Sequence, residues 1–480
     1  MNVLFFTLDQ FRADAYRAAG NRFIETPTLD RWASQGIRLT QHYSQAAPCS
    51  PGRAALYTGT YQMNNRVVAN GTPAPRGLAN IATVLRDAGY DPTLFGYTDQ
   101  GVNPDRAVGD DDPRLDNYDG VLEGMSVGLY MSEDQGPWVR ELRARGHDIA
   151  ATANWHDVLD SESQRPAADS LTAFVTDRFL QWLDRQSSGW AAHVSYLRPH
   201  PPYAAAGEYS TLVDPASVDL PISPIALEDR DPLFQVVSHM DATAAPSSED
   251  GVRHMIAQYY GMIAELDAQL GRISDALVER GEDDETLIVV VADHGEQLGD
   301  HGLKEKLAYF PQSYHIVGIW RDPRREPGVI NAFTENVDIL PTLAEAVGVD
   351  IPRSCDGESL YRLFDNPDAT WRRYAHYEWD WRYVFIGDRT PKWPTDRRLS
   401  EANLAVSVGR DAAFVQFGDG TSLAFDVAAD PTWRTPLTDP VRILEVAGDL
   451  LQWRQIHLNR EFTDMLLTPQ RAGHWPSFQN

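Results

Sequence analysis

Aspartate, histidine, cysteine and arginine stand in this chain where apolar runs stop, and their types define the chemistry open to them. Asp9 and Gln10 end the run 3–8, and Asp293 and His294 end the run 286–292. Tyr97, Thr98 and Asp99 close a third run, and His200 follows a fourth that ends at Leu197. Open α/β sheets bind ligands beyond the carboxyl ends of their strands, so four such ends converge on one rim. Asp9, Asp293 and His294 are hard or borderline donors with no thiolate among them, a set suited to Mn²⁺, Mg²⁺, Ca²⁺ or Fe²⁺ rather than to a structural zinc. The Gln10 carbonyl is a further candidate ligand. Either aspartate alone reads as a helix cap. The pair, in a chain that also carries Cys49-Ser50-Pro51-Gly52-Arg53, reads as a metal site. That run sets a thiol one helical turn from a guanidinium, and Lys304 and Lys306 lie beyond Asp293.

The elements that must position these residues alternate. The run 3–8 is nearly all apolar, as expected of a parallel strand buried on both faces. Thr26 as N-cap and Pro27 at the first helical position open a helix to about residue 34. Strands at 37–43, 93–97, 192–197 and 286–291 are separated by helices at 80–88, 171–186 and 252–279. The Cys49 segment starts as loop and turns helical at 54–56. This pattern predicts an α/β layered domain with a mostly parallel sheet over residues 1–370. Short alternating strands at 404–408, 413–417 and 423–427, a Gly418-Asp419-Gly420 turn and a helix at 441–454 predict a smaller C-terminal α+β domain over 371–480 with an antiparallel sheet. The Asp-, Gly- and Pro-rich stretch 101–165 is expected to be an insertion lining or covering a site.

The Cys49 run, with its C-x-P-x-R core, resembles the signature of the type I, formylglycine sulfatases of the alkaline phosphatase superfamily. Leu8-Asp9-Gln10, Tyr196-Leu197-Arg198-Pro199-His200-Pro201-Pro202-Tyr203 and Asp293 through Gly302 with Lys304 and Lys306 are similar to that family too. They are most similar to its branch of phosphonate monoester hydrolases and arylsulfatases. The segments from Tyr259 to Asp267 and from Val337 to Leu343 are similar to sulfatases in general. The resemblance implies an alkaline phosphatase-like α/β/α fold and a formylglycine made from Cys49 by a formylglycine-generating or equivalent modifying enzyme. Its hydrate would ligate one divalent metal, Mn²⁺ or Ca²⁺ ahead of Mg²⁺ or Fe²⁺, beside Asp9, Gln10, Asp293 and His294. One hydroxyl would attack sulfur or phosphorus, and the other would expel the ester by C–O cleavage. Arg53 would hold the hydrate. Lys306, with Lys304 as the alternative, would stabilise the non-bridging oxygens, and His200 or a lysine would protonate the leaving group. Asn70, Tyr97 and Thr98 would face the substrate. His301 is open between an extra ligand and a supporting role, while His193 and Cys355 read as structural.

Three positions depart from the family pattern. Gly52 replaces a common Ser, Gln10 replaces a second Asp, and Asp99 replaces a threonine of the phosphonate hydrolase branch. The net charge of -27 repels nucleic acid and anionic membranes, so an anionic substrate needs a locally cationic site. Two cysteines make no disulfide framework, and neither a signal peptide nor a membrane-length apolar run is present, which sets a cytoplasmic enzyme as the expectation. One metal and a few cations suit a small-molecule monoanion. A sulfate monoester comes first, with promiscuous phosphonate monoester and phosphate diester hydrolysis, and a primary phosphonate monoester hydrolase or phosphodiesterase is the alternative. A superfamily phosphodiesterase with an unmodified side chain, a non-catalytic binding protein and a cysteine hydrolase are the competing classes. The tail 466–480, with Trp475 and Phe478, is expected to serve a homo-oligomer, dimer or tetramer.

Overall fold

The computed structural model describes residues 1–75, 77–101, 120–132, 134–224, 237, 240–382 and 399–458. Parts of the expected insertion and the whole expected oligomerisation tail lie outside the described residues. In chain order the strands and main helices are β1 (Asn2–Leu8), α1 (Pro27–Gln35), β2 (Ile37–Tyr43), β3 (Ala46–Ala47), α2 (Cys49–Thr58), α3 (Ile81–Asp87), β4 (Pro92–Gly96) and β5 (Ser126–Tyr130). They continue with α4 (Leu171–Leu183), β6 (Ala191–Tyr196), α5 (Glu249–Glu279), β7 (Thr286–Val291), β8 (Gly318–Arg321), β9 (Gly328–Glu335) and α6 (Ile339–Val347). The last are β10 (Ala375–Asp380), β11 (Asn403–Val408), β12 (Ala413–Phe417), β13 (Ser422–Phe425) and α7 (Pro440–His457).

The main sheet has eight strands in the order β5-β4-β6-β1-β7-β8-β2-β9, and β8 alone runs antiparallel to its neighbours. Its continuous apolar strands are buried because both faces are covered. Leu4, Phe6 and Leu8 of β1 pack with residues of α1, α4 and α5, whereas Val3 and Phe5 pack with α3 and α6. That alternation is the period of two expected of a strand between helix layers. β1 lies between β6 and β7, which sets Asp9, the 197–203 loop and Asp293 side by side at one sheet end.

Some local expectations differ from the structure. Thr26 occupies the N-cap of α1 without capping it. Its hydroxyl accepts Arg17 N–H, and Asp267 from α5 receives the free N–H groups of Thr28 and Leu29 at 3.1 and 2.8 Å. The helix carrying Cys49 begins at Cys49 itself rather than at 54. Within the stretch read as an irregular insertion, β5 forms a half-exposed sheet edge. It was hidden in the sequence by Gly128, where a Cβ would meet the Phe95 ring at 2.4 Å.

The smaller sheet has the order β13-β12-β11-β10-β3. Its strands from β10 onward are antiparallel, and β3, two residues before Cys49, joins them in parallel through Ala46 and Ala47 opposite Glu378 and Trp379. The boundary expected at residue 370 is therefore crossed by the strand that leads into the cysteine. Among the described residues no helix is long and apolar enough to cross a membrane.

Candidate active site

Cys49 sits at the first turn of α2, and all ten residues of this helix are buried. Gly52 explains how the helix comes so close. A Cβ there would lie 2.5 Å from Asp293 O and 3.0 Å from Ala46 O, so the helix backbone rests against the end of β7. One ligand atom each from Asp9, Cys49, Asp293 and His294 lies within 4.8 Å of the other three. His294 Nε2 is 3.2 Å from Cys49 Sγ, the position where an oxygen of the formylglycine hydrate would stand. Asp9 Oδ1 is buried without a hydrogen-bond partner among the described residues, a cost of a few kcal/mol unless something else satisfies it. Three oxygen- or nitrogen-bearing groups and residue 49 around an orphaned carboxylate oxygen fit a divalent ion.

Arg53 lies under this cluster, fully buried. Its Nη2 donates to Asp9 Oδ2 at 3.0 Å and its Nε to Asp293 Oδ2 at 2.9 Å. Its Nη1 reaches the Tyr57 hydroxyl, the Tyr97 carbonyl and Ser195 Oγ at 3.1, 3.2 and 2.8 Å. Asp99, held at φ 51°, brings a third carboxylate to 3.8 Å from Nε. One guanidinium thus faces three buried carboxylates, a negative excess that favours a cation. Burial and the Asp9 charge push the Asp293 carboxyl up to about 7. Burial works against the Asp9 charge as well, but His200, Arg53, His294 and Lys306 outweigh it and hold Asp9 below the usual carboxylate range. Burial and then Asp9 raise the Cys49 thiol well above its ordinary value, the opposite of an activated cysteine nucleophile.

The opposite wall holds the second cation. Lys306 donates to Gln10 Oε1 and to His200 Nε2, each at 2.9 Å, and pairs with Glu305 at 3.2 Å. His200 Nδ1 therefore carries the proton and donates to Pro201 O at 2.7 Å. Burial and Lys306 push the His200 pKa down to about 4, so its ring is neutral near pH 7. The Lys304 backbone N–H donates to Thr243 O at 2.7 Å.

Other expected site residues are engaged in specific ways. Gln10, at φ 70°, directs its carbonyl to Lys306 and its amide to Glu296. The Tyr97 hydroxyl donates to Asp9 Oδ2 at 2.5 Å while its ring lies 4.2 Å from the Arg53 guanidinium. Thr98 is fully buried, and its hydroxyl is committed to Gly120 O at 2.7 Å and Leu122 N–H at 2.9 Å. Exposed Asn70 accepts Ser50 N–H at 3.0 Å and so caps the first turn of α2. His301 stacks on Phe310 with ring centres 3.5 Å apart and stands outside the four-residue metal group. His193 bonds Thr7 Oγ1 at 3.0 Å inside the sheet. Cys49 is a buried thiol outside any disulfide. Trp138, Trp379 and Trp381 are buried in hydrophobic cores.

Glu296 was not singled out in the sequence. Fully buried, it accepts the Gln10 amide, the Tyr203 hydroxyl at 2.9 Å, and the N–H groups of Leu298 and Glu305, both at 2.7 Å. It ties three site loops together. Its position two residues after His294 was the one available signal.

The family model described as Sulfatase matches residues 1–349. The chain belongs to the sulfatase family. It is 34% identical to the "Multifunctional alkaline phosphatase superfamily protein PehA" of Trinickia caryophylli, with 98% of each chain covered. The phosphonate monoester hydrolase of Agrobacterium radiobacter superposes with a TM-score of 0.87 at 33% identity, over 98% of each chain. An arylsulfatase of Clostridium perfringens is 28% identical, with 78% of this sulfatase and 81% of the relative covered. Membership makes this sulfatase a hydrolase of sulfuric esters or phosphonate monoesters, in a family that generally uses formylglycine and a metal ion.

Proposed function

We propose that this sulfatase hydrolyses monoanionic esters with a formylglycine made from Cys49 and one divalent metal, and that phosphonate monoesters and phosphate diesters are its primary substrates, with aryl sulfates also turned over. This order reverses the expectation from sequence. The near-full-length similarity to a phosphonate monoester hydrolase supports it over the lower, partial similarity to the arylsulfatase. The observation that carries the reaction type is the gathering of Asp9, Cys49, Asp293 and His294 donor atoms within 4.8 Å beside Arg53.

In this reading Asp9, Asp293, His294 and residue 49 hold the metal, which supplies Lewis acidity to the nucleophile. Arg53 balances the two ligating aspartates and fixes their orientation. Tyr97 holds Asp9 from the other side. Lys306 supplies positive charge to the non-bridging oxygens and is the protonated partner for the leaving group, because His200 is neutral and accepts from it. Gln10 places Lys306 through its carbonyl, and exposed Asn70, beside the first turn of buried α2, is the substrate-facing amide. Thr98 serves by anchoring residues 120–122. The same reading takes Mn²⁺ or Ca²⁺ ahead of Mg²⁺ or Fe²⁺ as the metal, and a cytoplasmic, homo-oligomeric enzyme.

Peptide mass spectrometry at Cys49, paired with kcat/KM on an aryl sulfate and an aryl phosphonate monoester, tests the reading. Conversion to formylglycine, loss of activity in Cys49→Ala and a higher phosphonate rate are expected. Full activity with an intact thiol would overturn it.

A further inference from the structure

Arg198 is buried and, among the described residues, hydrogen-bonds to neither the metal group nor Lys306. Its guanidinium gathers the carbonyls of the loop that follows β6. Nη1 donates to His200 O at 2.9 Å and to Pro202 O at 2.7 Å, and Nη2 donates to Ala204 O at 3.1 Å. Nη2 also donates to the buried carboxylate of Glu162, from the stretch read in the sequence as an insertion. The other Glu162 oxygen accepts Leu171 N–H at 2.8 Å at the start of α4, so the carboxylate is itself fixed. Only a planar fork of donors satisfies three carbonyls and a carboxylate at once, and a lysine ammonium cannot reproduce that geometry. The same loop carries His200, whose Nε2 receives Lys306, and Tyr203, whose hydroxyl reaches Glu296.

We infer that Arg198, braced by Glu162, is a positioning residue for the His200–Lys306 pair and thereby governs proton delivery to the leaving group. The inference rests on the proposed role of that pair. It gives Glu162, within the stretch expected to be an insertion, a task of its own: it sets the geometry of the acid from the back of the loop. The Glu162–Arg198 pair, out of solvent, costs much of its own attraction in desolvation, so its contribution is better sought in geometry than in stability.

The test measures kcat/KM for the metal-loaded, formylglycine-containing enzyme over aryl phosphonate monoesters whose leaving-group pKa runs from about 5 to about 10. Arg198→Lys, which retains the charge Glu162 requires, and Glu162→Gln are compared with wild type and with His200→Ala. Proton donation counts most where the leaving group is poor, so the loss should grow along the series. It is expected to be a few-fold at the acidic end and about 100-fold at the basic end, within the range of general acid catalysis. The dependence should approach that of His200→Ala. An equal loss at every leaving group, or none, overturns the inference, and either variant alone decides it if the other does not fold. A steep leaving-group dependence in His200→Ala that both positioning variants lack would refute the role of Arg198 and leave the site reading intact. A flat dependence in His200→Ala itself would refute the role proposed for the His200–Lys306 pair in proton delivery.

Discussion

Replacing Gly52 by Ser would restore the residue common in sulfatases, and in this chain it should damage the site. A Cβ at position 52 meets Asp293 O at 2.5 Å, Ala46 O at 3.0 Å and Asp293 C at 3.2 Å, all backbone atoms that no rotamer change can move. An ordinary carbon–oxygen contact begins near 3.3 Å, so α2 must retreat from the end of β7 by roughly 0.8 Å. Two effects compete. Leaving Gly in the helix interior is worth about 0.5–1 kcal/mol in favour of the substitution, while overpacking costs about 1–3 kcal/mol. The clash wins, for a net loss of about 1–2 kcal/mol. The displacement is the larger functional cost, since it separates residue 49 and Arg53 from the Asp293 backbone, and about 1 Å of misplacement is worth about 100-fold in rate. Thermal melts and kcat/KM, both normalised to formylglycine content by mass spectrometry, measure the two parts. Gly52→Ala controls for the hydroxyl and should fail alike. Wild-type melting and rate at equal conversion in either variant would refute the steric argument.

Two other outcomes follow from burial. Cys49 is 5% exposed and Arg53 fully buried, so a modifying enzyme that reads this motif should not convert folded, unmodified protein, while the denatured chain or a peptide spanning 45–60 should be converted. Efficient conversion of the native protein, read by peptide mass, would contradict the closed packing of α2. Burial, reinforced by Glu162, pushes the Glu265 carboxyl up to about 8 from an ordinary 4.5. Between those values the folded state keeps a proton that the unfolded state has lost. Its contribution is therefore full below about pH 4.5 and is lost as pH rises to about 8, roughly 5 kcal/mol at most. Glu265→Gln should flatten this fall in denaturant melts at pH 5 and pH 8.5, and parallel curves for parent and variant would disprove it.

The strands and the rim were legible because parallel strands buried on both faces must be continuously apolar, and the chain turns polar only where they end. β1, β6 and β7 stand out for that reason, and Asp9, His200 and Asp293 with them. β8 and β9 were not read. The first is only four residues long, and the second lies at an edge where exposed and buried residues mix without a clean alternation. The start of α2 at Cys49 was missed because Pro48 at its N-cap offers no capping side chain; the cap comes from Asn70, twenty residues away.

What the sequence by itself determined is the inventory: an apolar pattern that demands a covered sheet, donor types that suit a divalent cation, and a motif that places the chain in its family. Those depend on residue type and short spacing. Tertiary structure alone decided the partners. Gln10 meets Lys306 across 296 positions, Arg53 bridges Asp9 and Asp293, Asp99 turns toward Arg53, and β3 joins a sheet whose other strands begin at residue 375. The physical reason is that directional hydrogen bonds and buried charges are satisfied by whichever group the packed backbone brings within about 3 Å. Neither residue type nor local periodicity carries that distance.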